Sequence, residues 1–212
     1  MLIFAQQKLV FLSVPKTGTT AYARALSEHA ALVINAPPEL KHAPVFRYNR
    51  FFRQAVERFV GPDIAIVAVM REPLDWLGSW YRYRGRAALR GHPNSTHGLE
   101  FDAFVRAYCS AHPPDCARVG SQAKFLEPQR NGTRVTHLFR YDDQAGLRRF
   151  LESRLGVAVM PEAVNQSPER PLALDPETLD LLRRRHAADF ALYAGIGDDG
   201  AYEPHPVARA PR

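Results

Sequence analysis

A short loop near the start of the chain carries the residue types that bind phosphate. It follows an apolar run at residues 8–14, precedes a predicted helix at about 19–31, and reads Pro15-Lys16-Thr17-Gly18-Thr19-Thr20. Backbone N–H groups at a helix N-terminus are unpaired and positive, and glycine lets the backbone approach an anion closely. With the Lys16 charge and the threonine hydroxyls added, the loop is typical of a phosphate cradle. The plainer interpretation is a glycine turn with a threonine N-cap.

A second candidate follows the most apolar run of the chain, residues 64–70. Arg71 comes directly after that run, and Ser79 lies eight residues later, on a helix predicted from Pro73 to about Arg84. Open α/β sheets bind ligands at the carboxyl ends of their strands, so Arg71 and Ser79 are expected to meet on one phosphate. Taken singly, a surface ion pair explains Arg71 equally well, and an ordinary helical position explains Ser79.

The loop departs from the Walker A pattern of ATP- and GTP-binding proteins. That pattern places four residues between two glycines and ends in Gly-Lys-Ser/Thr, whereas Lys16 here precedes the only glycine of the loop. No predicted strand ends in the aspartate that would hold Mg²⁺. We therefore expect no metal cofactor, and a P-loop-type kinase of a small molecule remains only an alternative.

Together the two motifs resemble the PAPS-dependent sulfotransferase family, which transfers a sulfuryl group from 3′-phosphoadenosine 5′-phosphosulfate (PAPS). The resemblance covers roughly residues 8–84, and residues 138–143 look like a late strand-to-helix turn of that family. It implies that the phosphosulfate is held by the first loop, residues Pro15, Lys16, Thr17, Gly18, Thr19 and Thr20. It also implies that Arg71 and Ser79 bind the 3′ phosphate, and that the fold is P-loop NTPase-like.

The same resemblance points to a catalytic base between the two motifs, where family members place a His or a Glu. The best stretch is Glu39-Leu40-Lys41-His42. His42 is favoured because an ordinary imidazole pKa of about 6.5 suits proton abstraction at neutral pH, with Glu39 as the substitute. Lys41 is expected to touch the sulfuryl group, and Lys16 to stabilise the leaving phosphate. The spacing differs from the family's Lys-x-His, and a solvated loop histidine is the competing interpretation of His42.

The elements that must position these residues alternate between strand and helix, which predicts an α/β fold of three layers around a mainly parallel sheet. Strands are predicted at residues 8–14, 64–70 and 135–139, with a further candidate at 31–35. Helices are predicted at 19–31, 50–60, 73–84, 101–110, 142–154 and 176–193. We expect one domain over residues 1–196 and a flexible tail over residues 197–212.

The composition of the chain indicates which classes of partner it can bind. The 212 residues carry 28 basic and 22 acidic side chains, a net charge of +6 that suits anionic ligands. No nucleic-acid-binding motif is present, and no apolar run approaches the roughly 20 residues of a membrane span. The start of the chain does not read as a signal peptide, so a cytoplasmic protein is expected, with Cys109 and Cys116 as free thiols.

The acceptor is the least defined part of the prediction. The polar loop at residues 85–98 suits a carbohydrate or another hydroxylated small molecule, but it is equally typical of a plain surface loop. The sequence leaves three hypotheses: an O-sulfotransferase acting on such an acceptor, the small-molecule kinase, and an inactive protein that binds PAP, the desulfated donor, as a scaffold. The oligomeric state is not defined by the sequence.

Overall fold

A mixed five-stranded sheet forms the centre of the molecule, in the order β3-β1-β2-β4-β5. The computed structural model describes residues 1–162, 169–197, 200 and 202. The strands are β1 (Leu2–Phe4), β2 (Leu9–Phe11), β3 (Leu32–Val33), β4 (Ala65–Met70) and β5 (His137–Arg140). β2, β4 and β5 are parallel, as predicted, whereas β1 runs antiparallel to both β2 and β3.

β1 runs opposite to the other four strands, so the sheet is mixed although most of its strands point the same way, as predicted. A turn closes between Ala5 and Lys8, where the Lys8 N–H donates to the Ala5 carbonyl at 3.1 Å and Lys8 has a φ of 49°. The chain therefore reverses at once into β2, and a connection this short permits only an antiparallel pair. β2 is also shorter than the predicted strand at 8–14, because residues 12–14 lead into the phosphate loop.

Helices pack on both faces of the sheet. The helices are α1 (Thr19–Leu26), α2 (Pro38–Lys41), α3 (Val45–Phe51), α4 (Arg53–Val60), α5 (Pro73–Arg84), α6 (Phe101–Tyr108), α7 (Gln122–Phe125), α8 (Gln144–Leu155), α9 (Pro176–Arg185) and α10 (Ala187–Ala194). Side chains alternate along each strand, so Ile66 and Val67 of β4 lie in different cores. One core includes α3 and α4, and the other includes α1 and α8.

Two predicted helices are each divided in the structure. The predicted helix at 50–60 becomes α3 and α4, which meet at Phe52, and the predicted helix at 176–193 is interrupted at His186 (φ −121°, ψ 33°). Neither break carries a glycine or proline, so composition gave no sign of it. The helix predicted at 142–154 begins two residues later, at Gln144, because Asp143 caps it by accepting from the Gly146 N–H at 2.8 Å.

A third cluster, built on α5, α6 and α9, lies beside the sheet and holds the two cysteines. Cys109 is buried and Cys116 half-buried, and they are not joined in a disulfide. Burial raises the pKa of the Cys109 thiol to about 11. Among the helices described, none combines the length and hydropathy that crossing a bilayer requires.

The predicted flexible tail at residues 197–212 falls largely outside the described residues and stays a prediction. Its two described positions past 197 bond to the free side of β5. The Leu138 N–H donates to the Gly200 carbonyl at 2.8 Å, and the Tyr202 N–H donates to the Thr136 carbonyl at 3.1 Å. These two positions thus extend the backbone pairing of the sheet by one antiparallel neighbour.

Candidate functional site

The phosphate loop is a tight turn between β2 and α1. Lys16 and Gly18 both have left-handed backbone conformations, with φ values of 67° and 73°. The hydroxyl of the buried Thr17 donates to the Val14 carbonyl at 2.9 Å and closes the turn. Gly18 is the N-cap of α1 and no side chain caps the first helical turn, so its N–H groups are oriented toward a potential anion.

The Lys16 ammonium lies in a positively charged and partly buried environment. Its Nζ is 4.2 Å from the centre of the Tyr83 ring, and the Arg86 guanidinium lies 4.4 Å from the same centre. Burial, followed by the charges of Arg86, Arg71 and Arg82, lowers the pKa of Lys16 to about 8. Cations this close together repel one another. An anion that binds among them relieves this repulsion, so the site favours anion binding.

Arg71 lies directly after β4 and connects the loop to α5. Its guanidinium forms a two-point salt bridge with Asp75, with Nη2 to Oδ1 at 3.0 Å. Its Nη1 donates to the Lys16 carbonyl at 3.3 Å, and its centre lies 4.4 Å from the Tyr141 ring centre. The side chain is only 14% exposed, so Arg71 is held by the protein on several sides.

Two side chains remote in sequence fix the backbone around Arg71 and the loop. The amide of the buried Gln122 accepts from the Arg71 N–H at 3.0 Å and donates to the Arg71 carbonyl at 2.8 Å. The Trp76 indole N–H of α5 donates to the Pro15 carbonyl at 2.9 Å. The loop, β4 and α5 are therefore connected by direct hydrogen bonds.

Tyr141 packs against the glycine of the loop. A Cβ atom added at Gly18 would lie 3.2 Å from the Tyr141 ring, closer than ordinary van der Waals contact. The Tyr141 N–H in turn donates to the Met70 carbonyl at 2.7 Å, which holds this residue beside the end of β4. Gly18 is thus required both for its backbone conformation and for its space.

The segment between the two motifs reaches the loop through Lys41 and His42. The Lys41 ammonium donates to the Thr20 hydroxyl at 3.2 Å. His42 Nδ1 is 2.7 Å from the Ser13 carbonyl, and a carbonyl only accepts, so Nδ1 carries the proton. Burial, with the nearby charges of Lys41 and Lys16, lowers the pKa of His42. The imidazole is accordingly neutral at pH 7, with the lone pair of Nε2 able to accept a proton.

Glu39 and Ser79 are the predicted site residues that remain. Glu39 is exposed on α2, and its backbone carbonyl accepts from Arg47 at 2.5 Å. Ser79 is buried within α5, one turn after Asp75 and one turn before Tyr83, so it lies on the helix face of these two site residues. His42 is therefore better placed than Glu39 to act at the loop.

Sequence reasoning missed six side chains of this site: Asp75, Arg82, Tyr83, Arg86, Gln122 and Tyr141. The i to i+4 spacing of Arg71 and Asp75 was a usable signal for a salt bridge. The contact of Gln122 with Arg71 spans 51 residues and carries no local signal. Tyr83 lies half-buried against Lys16, and an aromatic residue on a helix gives no sign in the sequence of such a contact.

A cavity of about 680 Å³ lies away from the loop, between α6, α7 and α10. Its lining is mostly apolar and includes Ala117, Val119, Leu126 and Leu192. The carboxylate of Asp189 on its wall is already satisfied by the Ser121 hydroxyl and the Ala123 N–H, each at 2.9 Å. No predicted site residue lines this cavity, so the volume itself assigns no role to it.

No protein-family model matches the chain, and a search of curated proteins finds no match. Within the described residues, no three His, Cys, Asp or Glu side chains are grouped as metal ligands would be. The expectation that the chain needs no metal stays a prediction.

Proposed function

We propose that the chain is a PAPS-dependent sulfotransferase that acts on a hydroxyl group of a carbohydrate or another small molecule, on a P-loop-like sulfotransferase fold. The observation that carries the proposal is the convergence of Lys16, Arg71, Arg82 and Arg86 at a glycine turn and a helix N-terminus. A PAPS molecule carries phosphosulfate and phosphate groups, and such a cluster has the charge to bind both.

In this proposal, the residues of the chain have separate roles. The first-turn N–H groups of α1 and the hydroxyls of Thr19 and Thr20 bind the 5′ end of the donor, and Arg71 binds its 3′ phosphate. Lys16 stabilises the charge that develops on the phosphate as its bond to sulfur breaks. PAPS supplies the activated sulfuryl group.

His42 is the proposed base. Its Nε2 takes the proton of the acceptor hydroxyl while the acceptor oxygen forms its bond to sulfur, and the phosphate oxygen leaves with the electron pair of the broken bond. The Nδ1 contact with Ser13 holds the ring in the tautomer that this role requires. Lys41, bonded to Thr20, is positioned to support the transferred group.

Titration of the purified chain with PAP by calorimetry, without added metal, tests the donor site. We expect binding that Lys16→Ala and Arg71→Ala each weaken by about 10- to 100-fold, since each variant removes a charge-assisted contact. Lys124→Ala, which changes an exposed lysine on α7, is the matched control and should bind as the parent does.

Three results would count against the proposal. They are no PAP binding, PAP binding that is indifferent to Lys16 and Arg71, and ATP binding that requires Mg²⁺ and exceeds PAP binding. PAP binding without sulfuryl transfer to any acceptor in a screen of sugars and phenols would instead favour the scaffold hypothesis.

A further inference from the structure

Three phenylalanines of α3 and α4 are turned outward. Phe46 is 46% exposed, Phe51 60% and Phe59 87%. Of residues 50–60, where a helix is predicted, only Val56 is buried. Exposed aromatic rings cost free energy in water, so a group of them on one element indicates a contact surface.

The helical geometry places two of these rings on one side. Helical hydrogen bonds continue across the break between α3 and α4: the Phe52 N–H donates to the Tyr48 carbonyl and the Val56 N–H donates to the Phe52 carbonyl, both at 2.9 Å. Residues 51, 55 and 59 therefore follow one another at four-residue spacing, and all three are exposed.

Cations accompany the rings on the same exposed side. Residues 50, 54 and 58 form the adjacent row, which presents Arg50 and Arg58 to solvent. The Arg50 guanidinium lies 5.3 Å from the centre of the Phe51 ring, and the Arg47 guanidinium lies 5.6 Å from that of Phe46. We call these residues the Phe–Arg face; its members are Phe46, Arg47, Arg50, Phe51, Arg58 and Phe59.

The opposite side of the two helices anchors them to the sheet. Val45, Tyr48 and Val56 are buried in the core there. The acid of this segment, Glu57, is paired with Arg53 at 2.7 Å and so does not neutralise Arg50 or Arg58. The face is accordingly fixed in orientation and basic, with large apolar side chains standing out from it.

We propose that the Phe–Arg face docks the protein on an anionic lipid bilayer. Aromatic rings insert at the boundary of headgroups and acyl chains, and arginines bind the anionic headgroups beside them. The protruding rings stand on a rounded helical surface, and a fluid bilayer accommodates such a surface without a matching groove. The net charge of +6 on the whole chain adds a long-range attraction between the protein and the anionic bilayer. This inference is independent of the proposed sulfotransferase activity.

Sedimentation of the full chain with vesicles tests the proposal. We expect binding to phosphatidylcholine vesicles that contain phosphatidylserine, little binding to phosphatidylcholine alone, and release by salt. The double variant Phe51→Ser with Phe59→Ser should lower the partition coefficient by about tenfold or more, since two apolar side chains no longer insert. Arg50→Gln with Arg58→Gln should remove the preference for the anionic lipid.

Matched controls come from elsewhere on the surface. Met160→Ser removes another apolar side chain, one that is 80% exposed, and Arg183→Gln with Arg184→Gln removes two exposed cations of α9. The Met160 control should sediment as the parent does, and the α9 arginine control, which lowers the net charge by the same amount as the Arg50 and Arg58 pair, should keep the preference for the anionic lipid. All variants change exposed side chains, so an unchanged circular dichroism melt verifies that they fold.

The proposal is overturned if the parent does not sediment with phosphatidylserine vesicles, or if the phenylalanine double variant sediments equally well. It is also overturned if light scattering shows a dimer in solution that the double variant converts to a monomer, because a second copy then covers this face. PAP titration reports separately on the donor site, so neither result depends on the other.

Discussion

Arg71 and Asp75 form a two-point salt bridge across the first turn of α5, beside the phosphate loop. Asp75 also lies 3.9 Å from Arg82, so one carboxylate partly neutralises two of the cations around Lys16. If Arg71 binds the donor's 3′ phosphate, that phosphate competes with Asp75 for the same guanidinium.

Asp75→Asn is therefore expected to strengthen PAP binding. Removing the competing carboxylate should raise the affinity for PAP by roughly three- to tenfold, while the affinity for AMP, which lacks the 3′ phosphate, changes less. Calorimetry with both nucleotides measures the difference. In an Arg71→Ala background the Asp75 substitution should lose this effect, and an equal gain for PAP and AMP would contradict the assignment of Arg71 to the 3′ phosphate.

The pH dependence of PAP binding should report on Lys16. Its pKa in the free chain is lowered to about 8 by burial and nearby cations, whereas a bound phosphate favours the ammonium and raises that pKa. Affinity is then full below pH 8 and falls as the pH rises through 8. Lys16→Arg stays charged throughout this range and should give a flatter profile, measured by titration at several pH values. A parent profile that stays level above pH 8 would contradict a direct contact between Lys16 and the ligand.

His42→Gln separates catalysis from binding. As the proposed base, His42 must be neutral, so kcat/KM should rise with pH through a pKa below the ordinary value for histidine and stay level until Lys16 loses its proton near pH 8. The variant should lose this limb and about 100-fold or more of the rate, with PAP affinity unchanged. His29→Gln, which changes an exposed histidine after α1, is the control. Full activity in His42→Gln would return the role of base to Glu39.

Gly18→Ala and Gly91→Ala form a matched pair. Both glycines have positive φ, 73° and 80°, so each alanine costs about 1–2 kcal/mol of backbone strain. Only at Gly18 does the added methyl meet a neighbour, the Tyr141 ring; around Gly91 the space is open. We expect similar losses of thermal stability and a loss of PAP affinity in Gly18→Ala alone. Equal PAP binding by the two variants would show that the loop binds PAP even when the added methyl group displaces it from the Tyr141 ring.

Local signals predicted β4 and α5, which flank Arg71, more accurately than β2 and α1, which flank the phosphate loop. The strand predicted to residue 14 ends at Phe11, and the helix predicted to residue 31 ends at Leu26. The apolar run before Arg71 marks the end of β4, and the proline at the first helical position marks the start of α5. This helix spans Pro73–Arg84, as predicted. The antiparallel β1 was missed because a three-residue strand has too little pattern to show its partner. The Gln122 contact depends on chain segments that meet only in the folded molecule.

Periodicity also does not tell which side of a helix faces the core. At residues 50–60, the apolar positions indicated a helix correctly, but Phe51 and Phe59 face solvent and Val56 faces the sheet. The roles of Lys16, His42 and Arg71 are chemical hypotheses that the fold makes testable. What the structure adds is their spacing and their partners.

The backbone contacts of Gly200 and Tyr202 with β5 have a consequence for self-association. An uncovered outer strand offers unpaired amides to other chains and can seed intermolecular β-pairing. Here Leu138 and Thr136 already bond within the same chain, and Gly200 fits because any side chain there would overlap the Phe139 ring. Gly200 and Tyr202 therefore shield this side of the sheet, and a variant shortened at residue 196 should precipitate at concentrations at which the full chain stays clear.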